Sequence, residues 1–125
     1  MASGREKRRI NIEVFMLLAY TILLASASHA ENTAIVPVPG GSDGWITRHN
    51  AINTRISQGN VDLLYIGDSI VQNWEEQGKP IWDHYYAKRN AANLGISGDR
   101  TEHVLWRIEH GNIDGISPKL AIVMI

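Results

Sequence analysis

The run Leu63-Leu64-Tyr65-Ile66 closes on Gly67-Asp68-Ser69 and opens at once into Ile70, Val71 and Trp74. Consecutive apolar residues without alternation are what a strand covered on both faces requires, and a sheet covered on both faces is usually parallel, with helical crossovers. Gly67 permits a sharp turn at the carboxyl end of that strand. Ser69 is thereby presented where open α/β sheets bind their ligands.

The remaining chain has to supply neighbours for this central strand. Ala91 to Gly95 reads as a second strand ending on a glycine, and Leu120 to Ile125 as a third. Trp45, Ile46, Ala51, Ile52 and Ile56 recur at helical spacing, which predicts an amphipathic helix over Trp45 to Ser57 with Gly59 as its stop. His49, near the apolar face, reads as a structural histidine. Ile70, Val71 and Trp74 begin a short helix that must end before Gly78 and Pro80, and Ile81, Trp82, Tyr85 and Tyr86 give the next one an apolar side. Ser97 to Glu102 leads into a helix through Val104, Leu105 and Ile108, with Asp99 and Glu102 at capping-box spacing and Gly111 as the stop. The large aromatics Trp45, Trp74 and Trp82 read as core. Strands separated by helical crossovers imply a three-layer α/β architecture with right-handed connections.

Length and charge narrow the function. The chain has 125 residues, enough for a single domain, and 12 Lys and Arg against 13 Asp and Glu give no electrostatic reason to expect nucleic acid. With no cysteine, a disulfide framework and a thiolate metal site are excluded. Arg5, Lys7, Arg8 and Arg9 precede an apolar stretch from Val14 to Ala25, and Ser28-His29-Ala30 has small residues at the cleavage positions. That pattern predicts a signal peptide over residues 1–30, hence a periplasmic or extracellular protein with no stable membrane span after signal removal. Residues 31–44, rich in proline and glycine, read as an extended lead-in, and residues 45–125 as the folded domain.

A serine hydroxyl becomes a nucleophile only when a base takes its proton, and the oxyanion it generates needs N–H donors. The backbone N–H of Ser69 is one candidate. Gly98, at the equivalent turn after the second strand, is another, because glycine lets a substrate approach the backbone closely. Gly67-Asp68-Ser69-Ile70 resembles the first block of the GDSL, or SGNH, hydrolase superfamily, and Asn93-Leu94-Gly95-Ile96-Ser97-Gly98-Asp99 resembles its second. The wider stretch through His103-Val104-Leu105-Trp106-Arg107, Gly111-Asn112 and Pro118-Lys119 is similar to bacterial platelet-activating factor acetylhydrolase-like esterases of that superfamily. The resemblance implies a flavodoxin-like α/β/α sandwich that hydrolyses a small-molecule or carbohydrate acyl ester through an acyl-enzyme, with no metal or other cofactor. It also implies Ser69 as nucleophile and oxyanion donor, and Gly98 as second donor.

The family's third block, Gly-x-Asn, and its final Asp and His have no counterpart before Ile125, so the chain reads as cut short and, as written, inactive. His49, His84, His103 and His110 fall on predicted helices rather than on a loop after a later strand, where the base is expected. Other readings are a non-catalytic module binding an anion or carbohydrate, with Arg100, Lys79 and Arg107 as its only candidate cations, and a degenerate gene fragment. Ser69 with Gln72 also has the spacing of a simple helix cap.

Overall fold

The structure, a computed structural model, describes residues 32–125. The signal peptide expected over residues 1–30 lies outside them. Strand β1 (Leu63–Gly67) is the middle of a three-stranded parallel sheet, flanked by β2 (Ala91–Gly95) and β3 (Leu120–Met124). Leu64 lies opposite Ala92 and Ala121, and Gly67 opposite Gly95 and Met124. The strand starts are pinned by Asp62. Its N–H donates to Asn90 O at 3.0 Å, its carboxylate takes the Asn90 side chain at 2.7 Å and the Lys119 ammonium at 2.8 Å, and its carbonyl takes Lys119 N–H at 2.9 Å. The Lys119 contact, then that of Asn90, holds the Asp62 carboxyl below its ordinary range.

Among the described residues four helices connect and cover the strands: α1 (Asp43–Ser57), α2 (Ser69–Gln72), α3 (Lys79–Tyr85) and α4 (Thr101–Glu109). The first begins two residues before Trp45, because the Ser42 hydroxyl caps it by accepting Trp45 N–H at 3.2 Å. The lead-in is less extended than expected. It contains a single 3-10 turn at Thr33–Ile35, and Val38 N–H donates to the Glu102 carbonyl at 3.2 Å. Helix α2 gives way after one turn to a 3-10 turn at Asn73–Glu75, and α3 has Pro80 in its first turn, where the missing N–H is not needed.

The unbroken apolar run of β1 is explained by two cores. Leu64, Ile66, Ala92, Leu94 and Ile96 face Trp45, Ile52 and Ile56 of α1 and Val104 of α4. Tyr65 and Ala91, with Leu63 beside them, face Val71, Trp74, Trp82 and Tyr86 on the other side. This is an α/β fold with helices on both faces of a parallel sheet. Only half of the apolar side expected for α3 is used, since Ile81 and Tyr85 remain exposed.

The capping box expected from Asp99 and Glu102 does not form. The N-cap of α4 is Arg100, whose N–H donates to His103 Nδ1 at 3.2 Å, while Glu102 pairs with the Arg100 guanidinium at 2.6 Å. Asp99 sits one residue too early and is drawn into the interior by a buried cation.

The sheet edges differ. At the outer edge of β2 the Arg48 guanidinium, paired with Glu75 at 2.7 Å, donates to Gly95 O at 3.1 Å and Asn93 O at 3.2 Å, so unpaired carbonyls are covered. The side chains of β3 are open, Val123 being 64 % exposed.

Gly95 is where β2 meets α2 most closely: a Cβ there would overlap the Gln72 nitrogen and lie 2.7 Å from the Val71 carbonyl carbon. Gly95→Ala should lower stability by at least about 1–3 kcal/mol in urea unfolding. Gly41→Ala, with nothing within 4 Å of its added Cβ, should leave the midpoint unchanged.

Candidate active site

Two turns leave the sheet side by side. After β1, Asp68 is the N-cap of α2: its carboxylate accepts Ile70 N–H at 2.9 Å and its carbonyl accepts Gln72 N–H at 3.0 Å. The capping role is therefore taken by Asp68, and Ser69 becomes the first helical residue, half-buried. Among the described residues its hydroxyl makes no hydrogen bond. After β2, Asp99 N–H closes a turn onto Ile96 O at 3.2 Å, with Gly98 at its tip at φ +81°. Nothing lies within 4 Å of a Cβ built on Gly98, so the position is open, and glycine is demanded by the left-handed backbone rather than by crowding.

The turns are tied together by hydrogen bonds. Ile96 N–H donates to Gly67 O at 3.2 Å, and Ser97 N–H donates to the Gln72 side-chain oxygen at 2.8 Å. Asn93, buried in β2, donates to Val71 O at 2.7 Å and accepts Gly95 N–H at 2.8 Å, clamping α2 against the strand. Gly67 permits this approach, since a Cβ there would collide with the Met124 carbonyl and with Val71. Among the described residues neither the Ser69 N–H nor the Gly98 N–H has a hydrogen-bond acceptor, which leaves two backbone donors free on neighbouring turns.

Beneath the turns lies a polar cluster that the sequence reading missed. Arg107 of α4, with 1 % of its side chain exposed, donates from Nη2 to the Asp99 carboxylate at 2.5 Å and from Nη1 to Asn112 Oδ1 at 2.7 Å. Its Nη2 also lies 3.4 Å from Gly67 O, and Trp45 Nε1 donates to the other Asp99 oxygen at 2.6 Å. Burial pulls the guanidinium below its ordinary range, and the Asp99 charge opposes this. Arg107 Nε is left without a partner among the described residues. The eight-residue separation of Asp99 and Arg107 was the available signal, because it returns an acid before a helix to a base two turns along it.

His49 belongs to this cluster. It stacks on Trp45 with ring centroids 5.5 Å apart, its Nδ1 is 3.2 Å from Asn112 Nδ2, and its Nε2 is 3.1 Å from Asn53 Nδ2. An imidazolium would aim both N–H groups at amide donors. Burial first, then the charges of Arg107 and His110, pull its pKa below 6.5, with Asp99 opposing.

The other described histidines have neighbours of their own. His103 Nδ1 accepts Arg100 N–H, so its 3.7 Å approach to Asp99 is not an ion pair, and His110 stacks on Trp106 at 3.8 Å. His84 packs against Tyr85 on α3. The cations considered for an anion site are taken too: Arg100 by Glu102, Lys79 by Asp83 at 2.9 Å, and Arg107 by burial. Among the described residues no three His, Asp or Glu side chains gather as a metal-binding group.

No protein-family model matches the chain. It is 36 % identical over 85 residues to platelet-activating factor acetylhydrolase IB subunit alpha2 of Rattus norvegicus, covering 68 % of this chain and 36 % of the relative. The alpha2 subunit of Gallus gallus is 35 % identical over 103 residues, 78 % of this chain and 44 % of the relative. The alpha1 subunit of Rattus norvegicus is 33 % identical over 103 residues, 79 % of this chain and 44 % of the relative. The chain thus spans well under half the length of these relatives. The matches support a hydrolase family. They also correct the expectation of export, because the relatives are vertebrate platelet-activating factor acetylhydrolase IB subunits. The periplasmic or extracellular placement is withdrawn.

His49 carries a pH test. Its folded pKa lies below the unfolded value, so the unfolded chain binds the proton first, and stability present above about pH 6.5 is lost as pH falls toward the folded pKa. Thermal unfolding between about pH 7.5 and pH 5.5 should show this loss, and His49→Gln should flatten the slope. An unchanged slope would mean that His49 is not held neutral.

Proposed function

We propose that residues 45–125 carry the nucleophile turn and part of the oxyanion site of a GDSL/SGNH-type serine ester hydrolase, with Ser69 as nucleophile. The observation that carries this reading is the pair of unpaired backbone N–H groups, on Ser69 and Gly98, at turns tied together through Ile96–Gly67 and Ser97–Gln72. Ser69 Oγ attacks the ester carbonyl, the carbonyl oxygen becomes an oxyanion, and the two N–H groups stabilise it. Collapse expels the alcohol and leaves an acyl-serine, which water hydrolyses. No cofactor enters this scheme.

The serine proton has to pass to a base. Each described histidine has neighbours of its own, so the activity is proposed for the whole protein, whose relatives are more than twice as long as the matched stretch. The relatives are named as acetylhydrolases, which favours short acyl esters, acetyl esters first, of small-molecule or carbohydrate alcohols. The engagement of Arg100, Lys79 and Arg107 argues against the anion-binding alternative.

In the whole protein, Ser69→Ala should reduce hydrolysis of p-nitrophenyl acetate by at least about a thousandfold. The unfolding temperature should not change, since the hydroxyl makes no hydrogen bond among the described residues. Retained turnover would assign the nucleophile elsewhere.

A further inference from the structure

We propose that Arg107, buried beneath the two turns, is a positioning residue that sets the separation of the Ser69 and Gly98 N–H groups; this inference rests on the function proposed above. Its Nη2 serves two groups at once, the Asp99 carboxylate at 2.5 Å and Gly67 O at 3.4 Å. Asp99 directly follows Gly98, and Gly67 lies two residues before Ser69. One rigid planar fork therefore spans the roots of both turns, and its other arm is fixed by Asn112 at 2.7 Å. The Asp99 carboxylate cannot swivel, because Trp45 Nε1 holds its second oxygen at 2.6 Å.

The turns above it are joined by Ile96 N–H to Gly67 O and Ser97 N–H to the Gln72 side chain, while Asp99 N–H to Ile96 O closes the second turn on itself. An apolar side chain of similar volume would fill the same space. It would not hold a carbonyl and a carboxylate to one donor, and oxyanion stabilisation depends on donors placed within a fraction of an ångström. The hydrogen-bonded acceptors, not the volume, are what position the turns.

The test compares wild type, Arg107→Met and the pair Asp99→Asn with Arg107→Met in the whole protein. The double variant removes both buried charges and keeps an acceptor for Trp45. It should recover most of the unfolding temperature lost in Arg107→Met. Its kcat on p-nitrophenyl acetate should nevertheless remain about 100-fold low with KM within about twofold of wild type. Hydrogen exchange at the Ile96, Ser97 and Asp99 amides should remain faster than in wild type.

Recovery of kcat in step with unfolding temperature, or wild-type exchange at those three amides in Arg107→Met, would reduce Arg107 to a stabilising residue. If wild type hydrolyses no ester, the proposed function fails, while the exchange measurement still decides whether Arg107 orders the turns.

Discussion

A guanidinium sealed inside a domain of this size is tolerable only if its charge is answered there, and Asp99 answers that of Arg107 with both side chains almost wholly out of water. Such a pair adds little net stability over apolar residues of equal volume, but losing one member would strand the other and cost about 3–5 kcal/mol. Its consequence is geometric. Asp99 cannot serve as a helix cap, Arg100 takes that position, and the turn carrying Gly98 is drawn down onto the carbonyl end of β1. Trp45, Asn112 and, through Asn112, His49 are ordered around the same pair.

The backbone above is shaped by close approach. Gly67 and Gly95 lie opposite each other at the carboxyl ends of β1 and β2, and both lack the room for a Cβ because α2 and β3 crowd them. Asn93 then fastens α2 to β2 through Val71 O. These contacts bring the first turn of α2 against the second strand, and the Gln72 side chain reaches the Ser97 N–H. Among the described residues the Ser69 and Gly98 N–H groups have no acceptor, and unpaired donors of this kind are what acyl transfer uses at a developing oxyanion.

Much of this was legible in the sequence because it rests on local pattern. The unbroken run Leu63–Ile66 required cover on both faces, and the glycines at 67 and 95 marked where strands end and turns begin. What escaped was long-range. Asp99 and Glu102 have capping-box spacing, and nothing local says that a cation two turns later will claim the carboxylate. Arg107 reads from the sequence as a candidate cation for an anion site, and the fold places it under β1 instead. Arg48 likewise owes its place over the carbonyls at the β2 edge to the fold. The expected export rested on a composition pattern alone, and kinship with vertebrate acetylhydrolase subunits overturned it.

The most direct test lies at the two donors themselves. The measurement is the pair of amide proton shifts of Ser69 and Gly98 in the whole protein, before and after reaction with a fluorophosphonate that leaves a phosphoryl oxygen in place of the oxyanion. The account predicts a covalent adduct on Ser69 and downfield movement of both amides together, as each acquires an acceptor. An adduct on another residue, or one on Ser69 that leaves the Gly98 amide unmoved, would contradict it.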